Sequence, residues 1–139
     1  MTNDEELQKY MALIEQYKEQ MNQLDLQSQY VQAAIADYKK AKITIEMMNN
    51  VDSGTELLLP IGGGSFVNAS AKDTSKILCD IGGGIVTEKS TEDAIKKIDK
   101  RIENLQKTQD KLAEMSQNIQ VEVTEAYTKA QKLLAEKQK

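Results

Sequence analysis

Histidine and tryptophan are absent from this chain, which carries one cysteine, one proline, one phenylalanine and only 4% aromatic residues. Without an imidazole it lacks the side chain that most often serves as acid, base or metal ligand near neutral pH. A lone Cys79 cannot close an internal disulfide. His-assisted chemistry, a metal site and a cofactor are therefore not expected. Cys79 has no histidine to activate it and alternates with Ile77 and Ile81 along an apolar strand face, so it reads as a small buried hydrophobe rather than a nucleophile. The carboxylates are spread along helix faces with no pair placed for acid and base work, and no catalytic residue is assigned.

Further classes fall to other absences. No apolar run reaches the roughly 18 residues that cross a bilayer. The chain begins Met-Thr-Asn-Asp-Glu-Glu, acidic where a secretory signal is basic and then apolar. A soluble, cytoplasmic protein without membrane contact is expected. The 18 basic and 22 acidic residues are interspersed and leave a net charge of -4, so the basic footprint of a nucleic-acid binder is missing.

What is present is long-range periodicity. Apolar residues make up 40% of the 139, too many for disorder, yet 29% charge and so few aromatics cannot build a thick core. They are arranged as seams. Thr2 and Asn3 precede Glu5 and Glu6 at capping-box spacing, and helix-favouring residues then run to Asn49 and Asn50. Alternate steps of three and four visit Leu7, Tyr10, Ile14, Tyr17, Met21, Leu24, Ser28, Val31, Ile35, Tyr38, Lys42, Ile45 and Asn49, a sustained heptad. A second helix opens at Ser90, a cap, followed by Glu92 and Asp93 at the positive end of the dipole. Its seam runs Thr91, Ile95, Ile98, Ile102, Leu105, Gln109, Leu112, Ser116, Ile119, Val123, Ala126, Ala130, Leu133 and Lys137.

An antiparallel pairing satisfies both seams. Matched from Ile45 with Ile95 to Leu7 with Leu133, the layers set large against small: Tyr10 meets Ala130, Tyr17 meets Val123 and Ile14 meets Ala126. In this register each interior polar residue, Ser28, Lys42, Gln109 and Ser116, is expected to face an apolar partner. Each helix has roughly 42 residues, which at 1.5 Å per residue predicts a hairpin about 60 to 65 Å long.

Residues 51-89 differ in texture and hold all seven glycines and the proline. Leu57 to Ile61, Ser65 to Ala71, Lys76 to Ile81 and Ile85 to Lys89 read as strands, turned by Gly62-Gly63-Gly64 and Gly82-Gly83-Gly84. Two Ile-Gly-Gly-Gly elements twenty residues apart suggest a duplicated hairpin. Neither glycine triplet fits a phosphate loop, so positive φ in tight turns, or a close backbone approach at a subunit interface, is the expected use. Leu57, Leu59 and Ile61 oppose Leu58 across one strand, and Ile77, Cys79 and Ile81 oppose Leu78 across another. Apolar residues on both faces of short, edge-exposed strands predict completion by other subunits, through Leu59, Ile61, Phe66, Val67, Ile77, Ile81, Ile85 and Val86. The fold class is thus α+β, mainly α: a long antiparallel two-helix coiled coil (1-50 and 90-139) joined through a four-stranded insert of two β-hairpins (51-89).

Helix, insert, helix, with Leu57-Leu58-Leu59-Pro60-Ile61-Gly62-Gly63-Gly64-Ser65-Phe66, then Asp73-Thr74-Ser75-Lys76 and Asp80-Ile81-Gly82-Gly83-Gly84, resembles the α-class subunit of archaeal prefoldin over the whole chain. The resemblance implies a hexamer of two α and four β subunits whose strands form a central double β-barrel. It further implies an ATP-independent chaperone that holds non-native polypeptides with its coiled-coil ends, prevents their aggregation and passes them to a group II chaperonin. Met11, Leu13, Tyr127 and Leu134, apolar and at e and g positions near the free helix ends, either widen the seam or present adaptable side chains to a changing partner, and as the second they are the expected grip. A coiled-coil adaptor with one fixed, folded partner is the competing class. A nucleotide-dependent enzyme using the glycine turns is a weaker third.

Overall fold

The structure is a computed structural model that describes residues 2–138. Its elements are α1 (Asn3–Met48), β1 (Glu56–Gly62), β2 (Ser65–Ser70), β3 (Lys76–Asp80), β4 (Val86–Ser90) and α2 (Thr91–Lys137). Both predicted caps form: Glu5 N–H donates to Thr2 Oγ1 at 3.3 Å, and Asp93 N–H donates to Ser90 Oγ at 3.2 Å. Acidic residues fill the first turn of each helix, where the dipole favours them. α1 closes one residue before Asn49, which is exposed and takes no part in the seam.

The chain divides into two compact units, one holding the chain up to Ala34 and from Leu105, the other Ile35–Asn104. The first is a pair of helical segments with its core on the predicted seam: Ile14, Leu24, Leu112, Ala126 and Ala130 are buried, and Tyr10, Tyr17, Met21, Val31, Ile119 and Val123 half-buried. Tyr10 lies under the Lys129 ammonium, 5.9 Å from the ring centroid, and Lys137 pairs with Asp4 at 2.6 Å. Neighbours of the predicted partners are therefore in place, and a slip of one heptad is ruled out.

The expectation for the interior polar residues fails at Ser28 and Gln109. Gln109 Nε2 donates to Ser28 Oγ at 2.6 Å, so two of them meet each other. In a coiled-coil seam a side chain enters a hole made by four residues of the facing helix, so Ser28 can reach Gln109 in the next layer. Gln109 Oε1 is buried and has no partner among the described residues. Ser116 meets Met21, its hydroxyl 3.5 Å from the thioether sulfur.

The second unit carries the insert. β1 pairs with β2 antiparallel, Leu57 opposite Ala69 and Leu59 opposite Val67, with a bulge between Pro60 and Gly62. β3 pairs with β4, Ile77 opposite Lys89 and Cys79 opposite Thr87. They are two separate two-stranded sheets. The turn glycines all have positive φ, reaching +102° at Gly62 and +111° at Gly82, a region closed to other residues. A Cβ at these positions would meet nothing within 4 Å in this chain, so backbone conformation, not space, is what they supply here.

The core of this unit is small: Ile45, Ala71, Thr91, Ala94 and Ile102. Lys42, a charged seam residue, ends on an acidic side chain next to its expected partner Ile98. Its stem lies in the seam while its ammonium reaches Asp99 at 2.8 Å, and that hydrogen bond raises the lysine pKa.

Candidate binding surfaces

In the first unit the e flank of the helical pair opens into a groove of about 490 Å³. Leu7 and Ile14 of α1 and Ala130 of α2 line its base, and Met11, Tyr127 and Leu134 stand at its sides. Ala130, a small residue at an a position, lines it and leaves room beside the seam that a leucine would fill. Met11 and Tyr127 are each 57% exposed and Leu134 45%, values far above a seam residue such as Ile14 at 8%.

Three of the four predicted grip residues are thus brought together. Leu13 is not: at a g position it lies on the opposite flank, half-buried and outside the groove. Sequence reasoning grouped e and g positions because both border the seam, whereas in an antiparallel pair e faces e and g faces g. Heptad position alone could have separated them. The groove rim is polar, with Glu15, Lys18 and Gln131.

A second apolar surface lies on the insert. Leu59, Ile61, Phe66 and Val67 on the first hairpin are between 46% and 65% exposed, as are Ile81, Ile85 and Val86 on the second. Leu58 and Leu78, on the opposite strand faces, are exposed at 65% and 69% and belong with this set. Ile77 differs, being half-buried in a cleft of about 650 Å³ between β3 and residues of both helices, with Cys79, Ile45, Ile98 and Arg101. Cys79 is also half-buried there, less enclosed than its apolar neighbours suggested. Arg101 Nε donates to Tyr38 Oη at 3.3 Å across the same cleft.

One carboxyl of the insert is held as an anion by its own turn. The Asp73 carboxyl accepts from the Ser75 hydroxyl at 2.6 Å and the Ser75 N–H at 3.0 Å, which hold its pKa below the ordinary value. That is an anion fixed in a turn, not a proton donor. Among the described residues no three His, Cys, Asp or Glu side chains form a metal-binding group, and no helix is long and apolar enough to cross a membrane.

Long paired helical segments joined through small hairpins are an architecture that known proteins share. The prefoldin subunit model matches residues 17–136. The chain belongs to the prefoldin family. The prefoldin subunit alpha of Archaeoglobus fulgidus is 29% identical over 139 residues, covering all of this chain and 99% of that one. That of Methanococcus maripaludis is 31% identical over 107 residues, 77% of this chain and 72% of its own. Among solved structures, a filamentous prefoldin from Methanocaldococcus jannaschii aligns with a TM-score of 0.50 at 25% identity, over 96% of this chain and 98% of that one. The prefoldin beta subunit from Thermococcus strain KS-1 aligns at 0.60, over 91% and 90%, and at 15% identity speaks to the fold alone. The likeness is to the archaeal α class, and the protein is a chaperone subunit of the prefoldin type.

Proposed function

We propose that this prefoldin subunit is an ATP-independent holder of non-native polypeptides, with no enzymatic activity, that grips them in the groove walled by Met11, Tyr127 and Leu134. The observation that carries the reading is that these three exposed side chains stand together around one apolar groove, with Leu7, Ile14 and Ala130 at its base. A methionine, an aromatic ring and a leucine around an open groove suit a partner whose sequence changes, because the thioether stem re-packs at little cost. The insert at 51–89 joins the chain to β-class subunits, two α with four β, its hairpins entering a shared β-barrel, and the assembly works in the cytoplasm and hands its load to a group II chaperonin. Support for assembly comes from the uncovered apolar residues of both hairpins and from the family.

The test is an aggregation assay with a denatured protein and the reconstituted hexamer. Serine at Met11, Tyr127 and Leu134 together is expected to abolish protection while native mass stays that of the wild-type assembly. Leu13→Ser is expected to leave most of it. Full protection by the triple variant would refute the groove as the grip, and binding of one folded partner in fixed stoichiometry would favour an adaptor instead.

A further inference from the structure

The duplicated Ile-Gly-Gly-Gly elements place Pro60 and Asp80 at the same position, one residue before each isoleucine. In the second hairpin Ile81 N–H donates to Ile85 C=O at 2.9 Å. Because paired and unpaired positions alternate along an antiparallel ladder, the main-chain groups of Leu78 and Asp80 then point away from β4. They make the outer edge of β3. At that edge Lys97 Nζ, from the second turn of α2, donates to the Asp80 carbonyl at 3.1 Å. In the first hairpin Ala71 N–H donates to Thr55 C=O at 2.9 Å, and the same alternation turns Leu58 and Pro60 outward, where proline has no N–H to offer.

Both outer edges are therefore blunted at the equivalent place, by different means. Proline is a permanent block, whereas a lysine side chain can let go. We propose that Lys97 is a releasable guard on the outer edge of β3, and that this edge accepts an extended strand from another prefoldin-type subunit once the lysine swings away. An extended chain is the occupant that matches alternating main-chain donors and acceptors on Leu78 and Asp80. The exposed side chains of Leu78 and Ile81 carry the apolar surface of the insert into the cleft beside that edge, so the accepting groove is continuous with the assembly surface. The proposal rests on the assembly reading for the identity of the incoming strand, not for the existence of the guard.

The full-length chain alone decides it, by sedimentation velocity across a concentration series. Lys97→Met keeps the stem and removes the donor, and is expected to raise the self-association constant about two- to fivefold, the range for one exposed ammonium contact. Lys97→Arg is expected to behave as wild type. Asp80→Pro, added to the Lys97→Met variant, copies the proline that the first hairpin already tolerates and is expected to cancel the gain. Self-association of Lys97→Met at or below the wild-type level, with helix content unchanged by circular dichroism, would overturn the guard, as would a gain that survives Asp80→Pro. Failure of the wild-type chain to join a β-class subunit would instead remove the assembly reading and leave the self-association result to stand.

Discussion

The helical pair of the first unit and the hairpins of the second solve opposite problems with similar residues. In the helical pair, apolar side chains recur every three or four positions and are covered by the facing helix, so that Leu24 and Leu112 are 7% and 8% exposed. In the hairpins, apolar side chains alternate every two positions and point to both faces of sheets only two strands wide, so that Leu58 and Phe66 stay 65% and 58% exposed. Period decides the outcome. A heptad stripe faces one way and a single partner helix completes it, whereas a two-sided strand needs cover on both faces, which a two-stranded sheet cannot supply for itself. One unit is finished within the chain and the other leaves its apolar faces uncovered.

The largest expected effect separates the two directly. Leu24→Ala opens a cavity in a seam that has no second layer behind it and is expected to destabilise the lone chain by about 2 to 3 kcal/mol in urea unfolding. Phe66→Ser removes a side chain of similar bulk from the insert, yet should move that value by less than about 0.5 kcal/mol because little is buried there before assembly. Its effect should appear in native mass measurements with β-class subunits, as loss of the complex. Equal destabilisation of the lone chain by both changes would mean that the hairpins already pack as a core, and the comparison would break.

The architecture was legible in the sequence for the same reason of period. The Leu7 to Ile45 seam, the caps at Thr2 and Ser90 and the glycine turns follow from local chemistry, and each appears where the pattern puts it. What the pattern did not hold was detail below one heptad step. Ser28 and Gln109 sit in different layers by number and still touch, since a knob enters a hole made by four residues rather than facing one. Lys42 escapes the seam through a flexible four-carbon stem, and its partner Asp99 lies outside the a and d positions. Leu13 and Met11 both border the seam but on opposite flanks, which hydropathy does not distinguish. The Lys97 contact joins residues of two different elements and depends on the outer edge of β3, which no spacing reveals.

A smaller effect is expected within the seam itself. Gln109 brings a buried carbonyl oxygen that no described residue satisfies, so Gln109→Leu is expected to stabilise the lone chain by up to about 1 kcal/mol in the same urea titration. Ser28 Oγ loses its donor but, as a hydroxyl, can turn to the carbonyl one helical turn back. Polar pairs inside coiled coils also hold register, and the variant should therefore show more alternative pairings by crosslinking between Tyr10 and cysteines placed at 123 and 137. A loss of stability greater than about 1 kcal/mol would show that the Ser28 contact outweighs the unsatisfied oxygen.

The smallest effect concerns the turn that leads into β3. The Asp73 carboxylate accepts two hydrogen bonds from Ser75, first from its hydroxyl and then from its N–H, and its pKa is lowered for that reason. A carboxyl with a depressed folded pKa contributes stability that is complete above its unfolded value and disappears as pH falls through the folded one. The turn should therefore hold throughout the neutral and mildly acidic range and loosen only below the ordinary aspartate range. The Ser75 amide resonance, followed by NMR against pH, should titrate below that range, while Asp73→Asn keeps a neutral acceptor and should give a flat profile. Because the group is fully solvated, the change should stay local to residues 73–75 and leave the unfolding midpoint of the helical pair where it was. Titration of the Ser75 amide at or above the ordinary aspartate value would show that the turn does not hold the carboxylate. A midpoint that moved with it would tie the stability of the finished unit to a loop of the unfinished one.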